Sequence, residues 1–389
     1  MPIKKVLIYY RHFGMTLGGG EYLPLALIVE LQKYCDVTLA LDWTEHFDRA
    51  VKLFNMPLNR SRLSIVKLMT KNNRIDSGNS WLTILRFWRL KKLAKNADIC
   101  ISCANIMNFG KPAHHFLMSV DLGDPEFASY MRNQFLPKKR SPLSVLRGFV
   151  DSVLRRMLGM RTRRELICDL REHIYPNSKY VESLMQGYYK HFNSLVFYPP
   201  TVFDIPSHLS LERNPLKVIY LGRISLQKRL LDIIMIVDIA RRLSGKNITL
   251  SIGGRLDYDQ QELERHIADL DWIDFPGELY GDEKTKFLLS GTYAIHAMRT
   301  EAFGISITEY LKARLIPIVP DEGGACEVVD DHELTFHTND EAAAILVKLL
   351  DDSDFRERKR VKCAERAKIF SKDAYLKRQH KLLNEIIES

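Results

Sequence analysis

The sequence predicts an α/β protein built from two domains, each a parallel sheet wrapped by helices. Three observations predict it. Short β-rich runs alternate with helical periods along the chain, the pattern of strands joined by crossover helices. The chain has 389 residues, enough for two separate cores. Tyr198-Pro-Pro-Thr201 places two prolines where no regular element can continue, so the boundary falls there. Residues 1–198 are assigned to the first domain and 202–370 to the second.

In the first domain the spacing predicts strands over 6–10, 37–42, 99–103 and 116–120. A helix over 21–34 follows directly on a glycine run that ends at Gly19 and Gly20. Glycine there lets the backbone approach a ligand, and N–H groups at the helix start suit a phosphate or sugar oxygen. The second domain begins with a strand at Lys217 and continues with strands over 248–252, 293–298 and 316–319. From Asp354 the pattern is helical to the end. There is no repeat of solenoid length and no low-complexity tract.

Composition narrows the function classes. Apolar residues make up 46% and charged residues 27%, ordinary for a water-exposed globular chain. No apolar run reaches the roughly 18 residues of a membrane span. The apolar start at residues 6–10 is too short for a signal peptide and reads as a first strand, so a cytoplasmic location is expected. Six cysteines lack framework spacing. Cys100-Ile-Ser-Cys103 lies on a predicted strand, where positions i and i+3 face opposite sides, so the pair is poorly placed for redox or metal chemistry.

Charge is unevenly spread. Residues 1–200 carry 30 Lys/Arg against 16 Asp/Glu (net +14), and residues 201–389 carry 27 against 32 (net −5). Two basic segments stand out: 81–95, which interleaves Trp and Phe with Arg and Lys, and 144–158, an apolar helical stripe with Arg on its flanks. Both suit a helix lying on an anionic membrane, which predicts a peripheral protein on the inner membrane face. An ordinary core-facing helix with a basic solvent side is the alternative. No nucleic-acid motif accompanies the charge, so nucleic acid is not expected as a partner.

The most informative stretch is Glu301-Ala-Phe-Gly-Ile-Ser-Ile-Thr-Glu309, followed by the strand-like Ile316-Pro-Ile-Val-Pro320 and a loop containing Gly323 and Gly324. Two carboxylates flank a glycine turn at the start of a helix. Helix N-termini and glycine loops present N–H groups that suit phosphate, and carboxylates suit sugar and ribose hydroxyls, which together point to a nucleotide sugar. Upstream, a predicted strand ends in Leu-Gly222-Arg223, with Lys228 five residues later. Ligands in open α/β sheets bind beyond the carboxyl ends of strands, which puts both cations where a diphosphate would sit.

These segments resemble the E-x7-E signature and the G-R-x-x-x-x-K donor motif of retaining glycosyltransferases of the GT-B fold, family 4 (glycosyl transferases group 1). The glycine loop before Glu21, Ile174-Tyr-Pro-Asn-Ser178, Ser251-Ile-Gly-Gly254 and Ile273-Asp-Phe-Pro-Gly277 match in the same order. The resemblance implies two Rossmann-like domains with parallel sheets facing an interdomain cleft that holds the active site. It implies that residues 373–389 return to the acceptor-binding first domain. It also implies that Arg223, Lys228 and Glu301 are catalytic. Gly19, Gly20, Gly222, Arg223, Lys228, Glu301, Phe303, Gly304, Ile305, Glu309, Gly323 and Gly324 would bind the donor, with Glu309 on the ribose. Relatives carry a histidine after the strand that here precedes Asp121, so Asp121 is taken as its replacement. Arg314 stands where a glycine is usual at a helix end.

The implied reaction is transfer of a sugar, with retention, from a nucleoside diphosphate sugar to a hydroxyl of a lipid-linked or polysaccharide acceptor. The Phe-Gly-Ile-Ser form is similar to mannosyltransferases, which favours GDP-mannose with a UDP-sugar next. A nucleotide-sugar epimerase or phosphorylase, or a binding protein without turnover, keeps the same fold. No cofactor or metal is expected. Asp257-Tyr-Asp259 matches D-x-D only superficially, since Asp259 with Glu262 reads as a helix start.

Overall fold

A computed structural model describes residues 3–14, 19–69, 80–135, 153, 156–203, 205, 212–256, 265 and 270–388. They form two units, Met1–Pro199 with Leu376–Ser389, and Pro200–Tyr375. The Asp257–Asp259 pair and most of the predicted 144–158 helix lie outside the described residues.

The first unit holds a seven-stranded sheet of β1 (Lys5–Tyr10), β2 (Asp36–Leu41), β3 (Leu63–Lys67), β4 (Ile99–Ser102), β5 (His114–Phe116), β6 (His173–Tyr175) and β7 (Asn193–Ser194). Their spatial order is β3-β2-β1-β4-β5-β6-β7, and every pairing is parallel. Strands covered on both faces read as apolar runs. Val6, Leu7, Ile8, Leu39 and Ile101 are accordingly buried, with Ile8 in register with both Leu39 and Ile101. The strand expected at 116–120 starts earlier and stops at Phe116, because the Met118 N–H donates to Asn105 Oδ1 (3.0 Å) and leaves the ladder.

The helix expected from Glu21 begins at Gly19 and runs to Leu31 (Gly19–Leu31). The last helix, Lys372–Glu388, carries His380, whose Nδ1 lies 2.8 Å from Glu30 Oε1. Cys100 and Cys103 are buried free thiols on and just past β4, and burial pushes Cys100 up to about 12. His115 is also buried, and His114 is half-buried. His114 stacks on His173 at 4.7 Å and bonds the Tyr175 hydroxyl, while His115 Nε2 lies 3.0 Å from Glu172 Oε2.

The second unit repeats the plan with β8 (Lys217–Leu221), β9 (Thr249–Gly253), β10 (Ile273–Gly277), β11 (Tyr293–Ile295), β12 (Ile316–Pro320) and β13 (Thr335–Phe336). The order is β10-β9-β8-β11-β12-β13, again parallel throughout. In each unit the order reverses between two strands, β1 and β4 in the first and β8 and β11 in the second. The crevice beyond their carboxyl ends is where such sheets take ligands.

Candidate active site

The second unit places two carboxylate–cation pairs near the β8/β11 reversal. Only two residues of each strand pair directly there, Val218 with Tyr293 and Ile219 with Ala294. Beyond them β8 runs on to Leu221, whose buried peptide would lack a ladder partner on that side. The phenol of Tyr310 fills the gap. Its oxygen accepts from Leu221 N–H at 2.7 Å and donates to Leu221 C=O at 3.1 Å. Tyr310 lies on the helix Ile305–Lys312, so one side chain ties the loop bearing Gly222 and Arg223 to the helix bearing Glu309.

That helix starts without a side-chain cap. Its N-cap, Gly304, has φ 96°, and a Cβ there would lie 2.6 Å from Ile307 Cδ1. Only glycine accepts both demands. The orphan N–H groups of the first turn and the positive end of the dipole thus remain for an anion.

Around this helix start stand two carboxylate–cation pairs. Glu301 Oε2 takes the Lys228 ammonium, and His296 Nε2 lies 3.3 Å from the same oxygen. Burial pushes the Glu301 carboxyl up, but His296 and Lys228 outweigh it and hold the group well below the usual carboxylate range. Burial pushes His296 down further than Glu301 pulls it up, so its imidazole is neutral at pH 7. Glu301 Oε1 has no hydrogen-bond partner among the described residues, and the side chain keeps 15% of its surface exposed. The second pair is Glu309 with Lys284, Oε1 to Nζ at 2.6 Å, Lys284 coming from the helix Gly281–Ser290 after β10. Each carboxylate therefore gives one oxygen to a cation and keeps the other. Held this way, the pairs can accept hydroxyl protons from a polyol while the helix start and the cations meet negative charge.

The floor is backbone. Gly222 N–H donates to Gly253 C=O at 3.0 Å, and Gly254 sits so close that a Cβ on it would fall 1.8 Å from Gly222 O. Arg223 is exposed at the end of this ledge, and the Tyr220 hydroxyl donates to its carbonyl at 2.8 Å. The other glycine loop packs against the segment that carries Glu301. Gly324 N–H donates to Glu301 C=O at 2.7 Å, and Cβ atoms on Gly323 and Gly324 would lie 2.3 Å from the carbonyls of Arg299 and Ala302. These glycines let the 299–303 segment pack tightly, and the Gly324 N–H is spent on it. Phe303 is likewise a core residue, 2% exposed and edge-on to Phe370 at 5.4 Å. Ile305 opens the helix and is half-buried.

In the first unit, Gly19 and Gly20 occupy the first turn of their helix beyond β1, both half-buried. Pro24 has no N–H to return to the Gly20 carbonyl, which keeps that turn open. Asp121 is exposed in the loop after β5. Its Oδ1 accepts Gly123 N–H at 2.9 Å, and its carbonyl accepts Asn105 Nδ2 at 2.7 Å. Gly19, Gly20 and Asp121 thus lie at carboxyl ends of their own sheet, while Gly222, Arg223, Lys228, Glu301, Gly304, Ile305 and Glu309 converge in the second unit. The sequence reading missed His296, Lys284 and Tyr310. Their contacts span 5, 25 and 89 residues, and only Tyr310, beside the motif's last glutamate, carried a local cue.

Residues 204–370, within the second unit, match the family profile described as glycosyl transferases group 1, which places this unit in that family. No curated protein matches the chain by sequence. Solved structures match over the whole length. Anabaena HepE in complex with UDP and glucose is 16% identical, with 99% of each chain covered and a TM-score of 0.65. Sucrose-phosphate synthase from Thermosynechococcus elongatus is 13% identical, with 99% of each covered and a TM-score of 0.70. WaaG, a glycosyltransferase involved in lipopolysaccharide biosynthesis, is 13% identical, with 97% of this chain and 99% of that one covered and a TM-score of 0.65. The fold is GT-B.

Proposed function

Taking the second unit as a glycosyl transferases group 1 domain, we propose that the chain is a retaining glycosyltransferase that moves a sugar from a nucleoside diphosphate donor to a hydroxyl acceptor. The observation that carries this reading is the pairing of Glu301 with Lys228 and of Glu309 with Lys284 around an uncapped helix start. In the proposed complex the diphosphate meets the first-turn N–H groups, Arg223 and Lys228. These groups stabilise charge that grows as the leaving diphosphate departs, an interaction stronger in the transition state than in the ground state. They would do so without a metal ion. Glu301 Oε1 accepts from a hydroxyl of the transferred sugar, and Glu309 from the ribose. The acceptor oxygen attacks the sugar carbon on the face the diphosphate leaves, the carbon–diphosphate bond breaks, and the proton passes to the departing diphosphate oxygen.

A UDP-sugar is the first donor to test, because HepE was solved with UDP-glucose and pneumococcal GtfA, a further structure of similar fold, with UDP and GlcNAc. GDP-mannose, favoured by the sequence motif, is the second. The acceptor is proposed to be a lipid-linked or polysaccharide glycan held at the carboxyl ends of the first unit's strands, where Gly19, Gly20 and Asp121 lie. The first unit is also proposed to touch an anionic membrane surface on its cytoplasmic face. Supporting this, Trp88, Val153, Met157 and Leu158 are exposed by 58, 44, 80 and 49%, beside the exposed Lys92 and Arg156. No helix among the described residues is long and apolar enough to cross a membrane.

The test is a thermal-shift panel of UDP-, GDP-, ADP- and CMP-sugars, with and without Mg²⁺ or Mn²⁺, on wild type and Glu309→Ala, followed by donor turnover. A ligand at about 100 times its dissociation constant adds about 2.7 kcal/mol of stability. One nucleotide class should stabilise wild type, need no metal, and lose its effect in the variant. No stabilisation by any donor would overturn the reading, and binding without turnover would leave a binding protein.

A further inference from the structure

We propose that Lys284 is the second half of a ribose-reading pair, donating to a ribose hydroxyl oxygen whose own proton goes to Glu309. The inference rests on the donor-site reading above and adds to it a residue outside both sequence motifs.

Lys284 and Glu309 come from different elements and meet at 2.6 Å. Glu309 is 4% exposed, and Lys284 is the one hydrogen-bond partner of its carboxylate among the described residues. Glu309 Oε2 is left over. The Lys284 side chain keeps 26% of its surface, and its ammonium has three donors with one spent on Glu309.

The placement sets which part of a donor would reach it. A Cβ on Gly253 would lie 3.0 Å from both Leu279 Cδ1 and Phe287 Cζ, so the helix Gly281–Ser290 is packed on the carboxyl end of β9. Lys284 thereby flanks the glycine ledge on the β9 side, while Lys228 and Glu301 stand toward β11. A donor whose diphosphate lies on the uncapped helix start has its sugar toward Glu301 and its nucleoside toward Glu309 and Lys284.

The chemistry fits a hydroxyl better than a phosphate or a base. A hydroxyl donates one proton and accepts at its lone pairs, so a carboxylate and an ammonium held together satisfy both functions at once. A second phosphate would face Glu309 as a like charge. The pair also keeps the nearly buried Glu309 carboxylate balanced before the donor arrives. Lys284 is thus a specificity residue for ribonucleotides, as well as a counter-ion.

The experiment is calorimetric binding of UDP, GDP and ADP, and of the 2′-deoxy and 3′-deoxy forms of whichever binds, to wild type, Lys284→Met and Lys284→Arg. Melting curves check that each variant is folded. Wild type should prefer the ribonucleotide to at least one deoxy form by about tenfold or more, the size of one charged hydrogen bond. In Lys284→Met the preference should fall below about threefold, and Lys284→Arg should keep part of it. An unchanged preference in folded Lys284→Met would overturn the inference and leave the donor site standing. If Met fails to fold, an undiminished preference in Lys284→Gln would do the same. A wild type that binds no nucleotide would overturn the donor-site reading, and this inference with it.

Discussion

The two units share one strand order and differ in what they place at the reversal. In the second, two ion pairs, a buried neutral imidazole and an uncapped helix start converge on the ends of β8 and β11. In the first, the same region holds a glycine turn and a loop tied by Asn105, whose amide serves Met118 N–H, Ser119 Oγ and Asp121 C=O. Basic residues also line the helix Ser80–Ala94, where Lys92 is exposed and Arg86 pairs with the buried Asp42. One scaffold has therefore been used twice, once with the chemistry gathered at the crevice and once with the crevice lightly charged. The lesson is that strand order sets where a ligand goes, and the side chains at the reversal set which half handles the charge.

The comparison would break most visibly in turnover. Glu301→Gln keeps the shape of the side chain but removes the charge that holds Lys228 and His296, and should lower kcat/KM by about 10²–10³-fold. Asp121→Asn keeps an oxygen to accept Gly123 N–H, and should cost less than about tenfold. Steady-state rates with the donor found by the panel would check both. Equal losses would mean that the first unit shares in the charge stabilisation.

The next effect is on folding. Tyr310→Phe leaves the N–H and C=O of Leu221 buried without a partner, and should destabilise the second unit by about 1–3 kcal/mol in urea melts. Retained donor affinity with lowered stability would limit Tyr310 to a structural part. A fall in both would show that the phenol sets the donor loop. A smaller change concerns the first unit's surface. Trp88→Ser with Met157→Ser should weaken sedimentation with anionic vesicles by about tenfold, most plainly in high salt, where charge attraction is screened. Matching substitutions at Leu226 and Leu243, exposed in the second unit, should change nothing.

Much of this was legible in the sequence, and unevenly so. The strands β1, β2, β8, β9 and β12 stand out because each carries a mostly apolar, mostly buried run. The short strands β6, β7 and β13 do not, since two or three residues carry no period. The motif at 301–309 is legible because its parts lie on one loop and one helix turn. Lys284 and Tyr310 were not, since each matters through a partner on another element. Gly323 and Gly324 show the limit of composition, because their close approach to the carbonyls of Arg299 and Ala302 cannot be read from the letters.

The smallest effect lies in acid and separates the units by their buried imidazoles. Burial pushes His114 down to about 3, and it lowers His12, His115 and, in the second unit, His296 as well. In the unfolded chain these groups titrate near 6.5. Between that value and the lower folded one, the unfolded state binds more protons, so stability falls as pH drops and is unaffected above about 7. The Glu301 carboxyl, held low in the folded state, adds its own loss only below its unfolded value near 4.5. From pH 6.5 to 4.5 these histidines act, three of them in the first unit against one in the second among the described residues. The first unit should therefore lose stability faster on acidification, and His114→Phe should shrink its pH 7-to-5 drop in urea midpoint while leaving the second unit's drop unchanged. An equal drop in variant and wild type would show that His114 takes up its proton without unfolding, and the acid difference between the units would then lie with His12 and His115.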